Sequence, residues 1–197
     1  DADSFVFQTQ QALDQVGANI DPADKSAVEA DMGAVKSFLE AHQNAEEMTE
    51  ADVAELKSLQ EKLLDMVAAD AEGFLPLTQV YEMAKDDPAR PAALQAASET
   101  ACGAPLRMME LCLEALEAAD RLADIGSRLA VSDAGCAAAL LHGGLRAASL
   151  NVFINTKGMT DRGTATRLDA RCGEMLYRGT ALADVVFDRV KKELTTL

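Results

Sequence analysis

From Leu141 to Asp161 the chain reads LHGGLRAASLNVFINTKGMTD, led into at 131–135 by Val-Ser-Asp-Ala-Gly. Ala134, Ala138, Leu141, Leu145, Ala148 and Val152 recur at spacings of four and three, the period of a helix with one core-facing stripe. Asn155 falls next on that stripe. Asn151 and Asn155 lie four apart and share a helix face. Two amides beside an apolar stripe must be met either by other protein groups or by a ligand. Ser132 or Asp133 caps the start of this helix, which stops at Lys157-Gly158. Its end is a polar cluster of Asn151, Asn155, Lys157, Thr160 and Asp161.

Working outward, Thr160-Asp161 opens a last helix, and Asp161 reads as its N-cap. Leu168, Cys172, Met175, Leu182, Val186 and Val190 keep a three-four spacing there. Gly179 interrupts that stripe and marks a close helix crossing. Upstream, a long helix spans Ala92 to Asp124, with a break at Gly103-Ala104-Pro105 and a stripe through Met109, Cys112 or Leu113, Leu116 and Ala123. The charged loop Lys85–Pro91, with its two further prolines, precedes it. Thr49-Glu50-Ala51-Asp52 is a capping box that starts another helix. Its stripe runs Val53, Leu56, Leu63, Val67, Phe74, and Pro76 kinks or restarts it.

Asp70 falls between Val67 and Phe74 on that stripe. A buried carboxylate without a cation has its pKa raised, by up to about 3–5 units, and suits proton transfer near neutral pH. The alternative is an Asp held by hydrogen bonds to a neighbouring helix. The first 50 residues read as a helical hairpin: a short helix over 2–17, then a helix from Asp21-Pro22 with Val28, Met32, Val35 and Leu39 inward.

Composition agrees with helices throughout. Aromatics are 4% with no Trp, alanine is abundant, and no segment alternates like a strand. The expected fold is all-α, an antiparallel helical bundle of long helices preceded by an acidic hairpin, divided as 1–50 and 51–197. Net charge is −15, which excludes a nucleic-acid or anionic-membrane partner. Residues 1–50 carry −9 and residues 51–75 carry −4, so the remainder is nearly neutral and can meet an anion locally. Cys102, Cys112, Cys136 and Cys172 show no paired spacing; they read as small core residues of a cytoplasmic protein, with no metal site. No apolar run reaches about 18 residues, so no membrane span is expected. The chain opens on Asp1, as a processed chain or a fragment does. Phosphate-loop, dinucleotide, nucleophile-elbow and zincin motifs are all missing.

Two resemblances follow. ADSFVFQT, the Gly17 turn and PADKSAVEADMGAVK resemble the C-terminal helical lid of a DnaK-type chaperone, over about residues 1–50. From about Ala51 onward, LLDMVAADAEGF, KDDPARPAALQAA, GAPL and VSDAGCAAALLHGGLRAASLNVFINTKGMTD resemble the cyclodeaminase/cyclohydrolase family. That resemblance implies an all-helical homodimer acting on a tetrahydrofolate derivative with no bound cofactor, and a formiminotransferase partner in some members. The reaction is either closure of 5-formimino-tetrahydrofolate with loss of ammonia, or opening of the 5,10-methenyl compound by water. Asp70, in Asp70-Ala71-Glu72-Gly73-Phe74, then matches the family's acid/base aspartate. Ser132, Asp133, Asn151, Asn155 and Lys157 become candidates for the folate pocket. The family's glycine-rich P-x-P-G-G-G-S opening has no counterpart here; the lid-like hairpin stands in its place. The competing expectation is therefore a non-catalytic helical module or chimera that kept the fold and lost the activity.

Overall fold

The computed structural model describes residues 9–13, 21–42, 49–125 and 131–196, and its chain divides into two compact units, 1–46 and 47–197. In the first unit, residues 9–13 are helical and α1 spans Pro22–His42. Leu13 and Met32 are buried, whereas Val28 and Val35 are more than a third exposed. The turn at Gly17 lies outside the described residues, and so does the side chain of Leu39.

The second unit is built from α2 (Glu50–Glu82), α3 (Arg90–Ile125), α4 (Val131–Lys157) and α5 (Arg162–Thr195), with no strand among the described residues. The Thr49 capping box forms as its sequence predicts. Thr49 Oγ1 accepts from Asp52 N at 3.3 Å, and Asp52 Oδ2 accepts from Thr49 N at 2.8 Å. Pro76 and Pro105 both sit inside continuous helices, so the helix does not restart at Pro76 and is not interrupted at 103–105. Each proline costs one backbone bond, and Pro105 is itself buried against the core, which offsets that loss. α4 is already helical at Val131, so Ser132 and Asp133 stand within its first turn rather than capping it.

α3 is the central helix. It packs against α2, α4 and α5, and α4 also packs against α5. Met109, Leu113, Leu145, Val152, Cys172 and Met175 make the largest shared core. A second cluster joins Leu116, Ala138, Val186 and Val190 towards the other end of the bundle. Gly179 is the close crossing its position predicts. A Cβ there would come within 2.5 Å of one Leu145 methyl and 3.0 Å of a Leu113 methyl. α2 reaches only α3, through Leu59 on Leu111 and Ala118, and through Leu77 and Val80 near Ala97 and Ala101. α2 and α4 thus flank α3 and are not packed closely backbone to backbone.

Candidate active site

The inward stripe of α2 is Leu56, Leu59, Leu63, Met66, Leu77 and Val80, with Gly73 against α3 where a Cβ would lie 3.6 Å from the Thr100 carbonyl. This stripe keeps Leu56 and Leu63 of the one expected but not Val67 or Phe74, which are 71% and 49% exposed because α2 has apolar residues on two faces and α3 covers only one of them. Asp70 keeps the three-four spacing of the observed stripe, between Met66 and Gly73, yet it is exposed rather than buried. Asp70 makes no hydrogen bond or ion pair with the described residues.

The gap between α2 and α4 is an apolar trough of about 580 Å³ floored by Ala115, Ala119 and Leu122 of α3. Leu59, Leu63 and Leu64 form one wall, Ala134, Ala137 and Leu141 the other, and Gln60 and Asp133 supply polar groups. The volume falls in the range of small-molecule sites, about 300–1,000 Å³. Asp70 is six residues beyond Leu64 on the same helix, about 9 Å further along its axis.

The amides of α4 divide in their roles. Asn155 is half-buried and its Nδ2 donates to the Ala101 carbonyl of α3 at 3.2 Å, whereas Asn151 is exposed. Gly73 meets α3 at Thr100 and Asn155 meets it at Ala101, which sets Asn155 level with Gly73, about one turn along α2 from Asp70. Lys157 is exposed in the last turn of α4. Asp133 and Lys157, however, stand at opposite ends of this helix, about 36 Å apart at 1.5 Å per residue. Within one chain, Ser132 and Asp133 do not join Asn151, Asn155 and Lys157.

The corner after α4 is tied down by groups the sequence reading passed over. Gln95 Oε1 accepts from Asp161 N at 2.9 Å and from Thr160 Oγ1 at 3.3 Å. The Arg162 guanidinium donates to the Thr156 and Met159 carbonyls, closing the end of α4. The buried Thr156 hydroxyl donates to Asp169 at 2.5 Å. Asp161 caps α5 as expected, accepting from Gly163 N, Thr164 N and Thr164 Oγ1. The Thr164 hydroxyl bond, followed by the backbone bonds, holds its carboxyl below the ordinary value. Gln95 and Asp169 lie 65 and 13 residues from their partners, a separation that local spacing does not register.

Cys102, Cys112 and Cys172 are core residues as predicted, and burial pushes each thiol up to about 11. Cys136 is exposed, against expectation, because it faces away from α3 and α5. Among the described residues no group of three His, Cys, Asp or Glu side chains could hold a metal ion.

A family model described as formiminotransferase-cyclodeaminase matches residues 34–174. The chain belongs to this family. The match takes in the trough, Asp70 and the whole of α4, and it reaches back into α1. A methenyltetrahydrofolate cyclohydrolase from Methylorubrum extorquens is 30% identical over 163 residues, covering 81% of this chain and 76% of that protein. Formimidoyltransferase-cyclodeaminases from Sus scrofa and Mus musculus are 32% and 30% identical over 134 and 129 residues. The chain spans about a quarter of the length of each of these two.

Proposed function

We propose that the chain is a folate one-carbon enzyme that hydrolyses 5,10-methenyl-tetrahydrofolate to the 10-formyl compound, with Asp70 as the general acid/base. The observation that carries this reading is the likeness to the Methylorubrum extorquens cyclohydrolase over four fifths of the chain. In this reaction water adds to the cationic methenyl carbon and loses a proton, the bond to one folate nitrogen breaks as that nitrogen takes up a proton, and the remaining hydroxyl proton leaves to solvent as the formyl C=O forms. A carboxylate within reach can accept the first proton and return it. Such a group is typically worth about 10²–10⁴ in rate. The aromatic rings of the substrate suit the leucine-walled trough, with Asp70 about 9 Å beyond Leu64 along α2. Asn151 and Asn155 are polar groups for the ring edge, and Lys157 is a cation for a folate carboxylate. Ser132 and Asp133 would serve the other end of the site.

Closure of the formimino compound with release of ammonia is the related reaction, favoured by the likeness to the two cyclodeaminases. A non-catalytic helical module is the second reading, and the exposure of Asp70 favours it, since an exposed carboxylate gains nothing from desolvation. We also propose that the working assembly is a homodimer. Asp70→Asn should lower turnover by about 10²–10⁴ with an unchanged far-ultraviolet circular dichroism spectrum. Turnover in that variant equal to wild type would remove Asp70 from the chemistry.

A further inference from the structure

α4 carries a second stripe, on the side away from the bundle. From Asp133, spacings of three and four alternate through Cys136, Leu140 and Gly143. They continue through Ala147, Leu150 and Ile154 to Lys157, which is the repeat of a coiled-coil seam. Every one of these residues is exposed, with Leu140 at 77%, Leu150 at 67% and Ile154 at 70%. Nothing within the chain's described residues covers them.

The stripe is symmetric about Leu145. Gly143 and Ala147, both small, are equidistant from it; so are Leu140 and Leu150, then Cys136 and Ile154. The outermost equidistant pair is an acid and a base, Asp133 and Lys157. When a helix packs antiparallel against a copy of itself across a two-fold axis, residues equidistant from the axis meet. We propose that α4 is the seam of a homodimer, lying antiparallel along the partner's α4 with the axis level with Leu145. This specifies the homodimer reading above and rests on it.

Three features support that register. Apolar residues meet apolar residues throughout, and at each end Asp133 meets the partner's Lys157, giving two ion pairs of opposite sense. At the centre, Gly143 and Ala147 let the two helices approach closely. Gly143 has no reason to be glycine within one chain, because a Cβ there would meet nothing within 4 Å. Mid-helix glycine without such a reason only weakens the helix. α4 is also long and apolar enough to cross a membrane by length and composition, which the run-length reading missed. A lipid-facing stripe has no cause to be symmetric, or to end in an acid and a base. The seam has a consequence for the site. It brings Ser132 and Asp133 of one protomer to the partner's Lys157, so candidate residues about 36 Å apart in one chain share one neighbourhood across the interface.

The test is sedimentation of the full chain from low to high micromolar concentration, with cross-linking. Wild type should dimerise. Ala147→Glu, which places a carboxylate on either side of the axis, should weaken the dimer at least about tenfold without altering the helical spectrum, since Ala147 is exposed in the protomer. Asp133→Lys should weaken it, and adding Lys157→Asp should restore it. Under a mild oxidant, Ile154→Cys should yield a covalent dimer through Cys136, while wild type, whose two Cys136 thiols lie far apart in an antiparallel pair, should not. A dimer unaffected by Ala147→Glu, or a wild-type Cys136–Cys136 cross-link, overturns the seam and leaves the homodimer standing. A monomer at every concentration overturns both, as does a monomer that instead partitions into neutral lipid vesicles.

Discussion

Two glycines of α5 offer a controlled measurement of how tightly the bundle is packed. A Cβ at Gly173 would meet nothing within 4 Å, whereas a Cβ at Gly179 would press into Leu145 at 2.5 Å and Leu113 at 3.0 Å. Alanine improves either position as a helix residue by about 1 kcal/mol. At Gly173 that gain stands alone, so Gly173→Ala should stabilise the fold by about 0.5–1 kcal/mol. At Gly179 it is opposed by overpacking, typically about 1–3 kcal/mol. Leu145 is fully buried and Leu113 nearly so, which leaves their methyls little room to withdraw. The upper half of that range applies, and Gly179→Ala should destabilise by about 1–2 kcal/mol net. The two variants should therefore differ by about 2 kcal/mol or more, roughly 5 °C in Tm for a domain of this size. Urea titration followed at 222 nm, with calorimetry, measures both. If Gly179→Ala proves as stabilising as Gly173→Ala, the close crossing of α5 with α3 and α4 is refuted.

Asn155→Ala should cost about 1 kcal/mol by chemical denaturation, because it removes the donor to the Ala101 carbonyl; no change would show that this bond adds nothing. Asp161 titrates below its ordinary value of 3.8 in the fold, chiefly through the Thr164 hydroxyl bond. Its contribution is present above the unfolded-state pKa and is lost as pH falls through the folded value. Asp161→Asn, which caps without titrating, should thus differ from wild type in Tm at neutral pH, with the difference shrinking in strong acid. A pH-independent difference would contradict the cap's charge. Of the four thiols, Cys102, Cys112 and Cys172 should resist iodoacetamide even at mildly alkaline pH, and only Cys136 should react in dilute native protein. Mass spectrometry counts the adducts, and more than one in the native state would refute the burial.

Most of the bundle was legible because its helices carry a single apolar stripe. On α4, Ala134, Ala138, Leu145, Ala148 and Val152 are all buried, and Asn155 follows them at the margin, as the spacing predicts. On α5, Cys172, Met175, Val186 and Val190 are buried and Gly179 is the crossing. On α2, Leu63-Leu64 and Phe74-Leu75 place apolar residues on two faces, so Leu56 and Leu63 lie on the packed stripe while Val67 and Phe74 do not. Periodicity shows that a face is apolar without showing which one has a neighbour. Cys136 was misassigned for the same reason, since it belongs to α4's second stripe. At Pro76 and Pro105 tertiary packing keeps the helix continuous where the residue type alone allows a restart or an interruption. The candidate site was legible as residue types at fixed spacing. Its assembly was not, because helix length separates Asp133 from Lys157, and because the Gln95 and Asp169 contacts depend on which helices become neighbours.

The loss of ultraviolet absorbance of 5,10-methenyl-tetrahydrofolate, followed with and without the protein and with Asp70→Asn beside it, tests the central claim most directly. A saturable acceleration over the spontaneous decay, collapsing in the Asp70→Asn protein, is expected. Decay at the spontaneous rate with wild type, together with no release of ammonia from the formimino compound, would contradict it and leave the chain a non-catalytic member of its family.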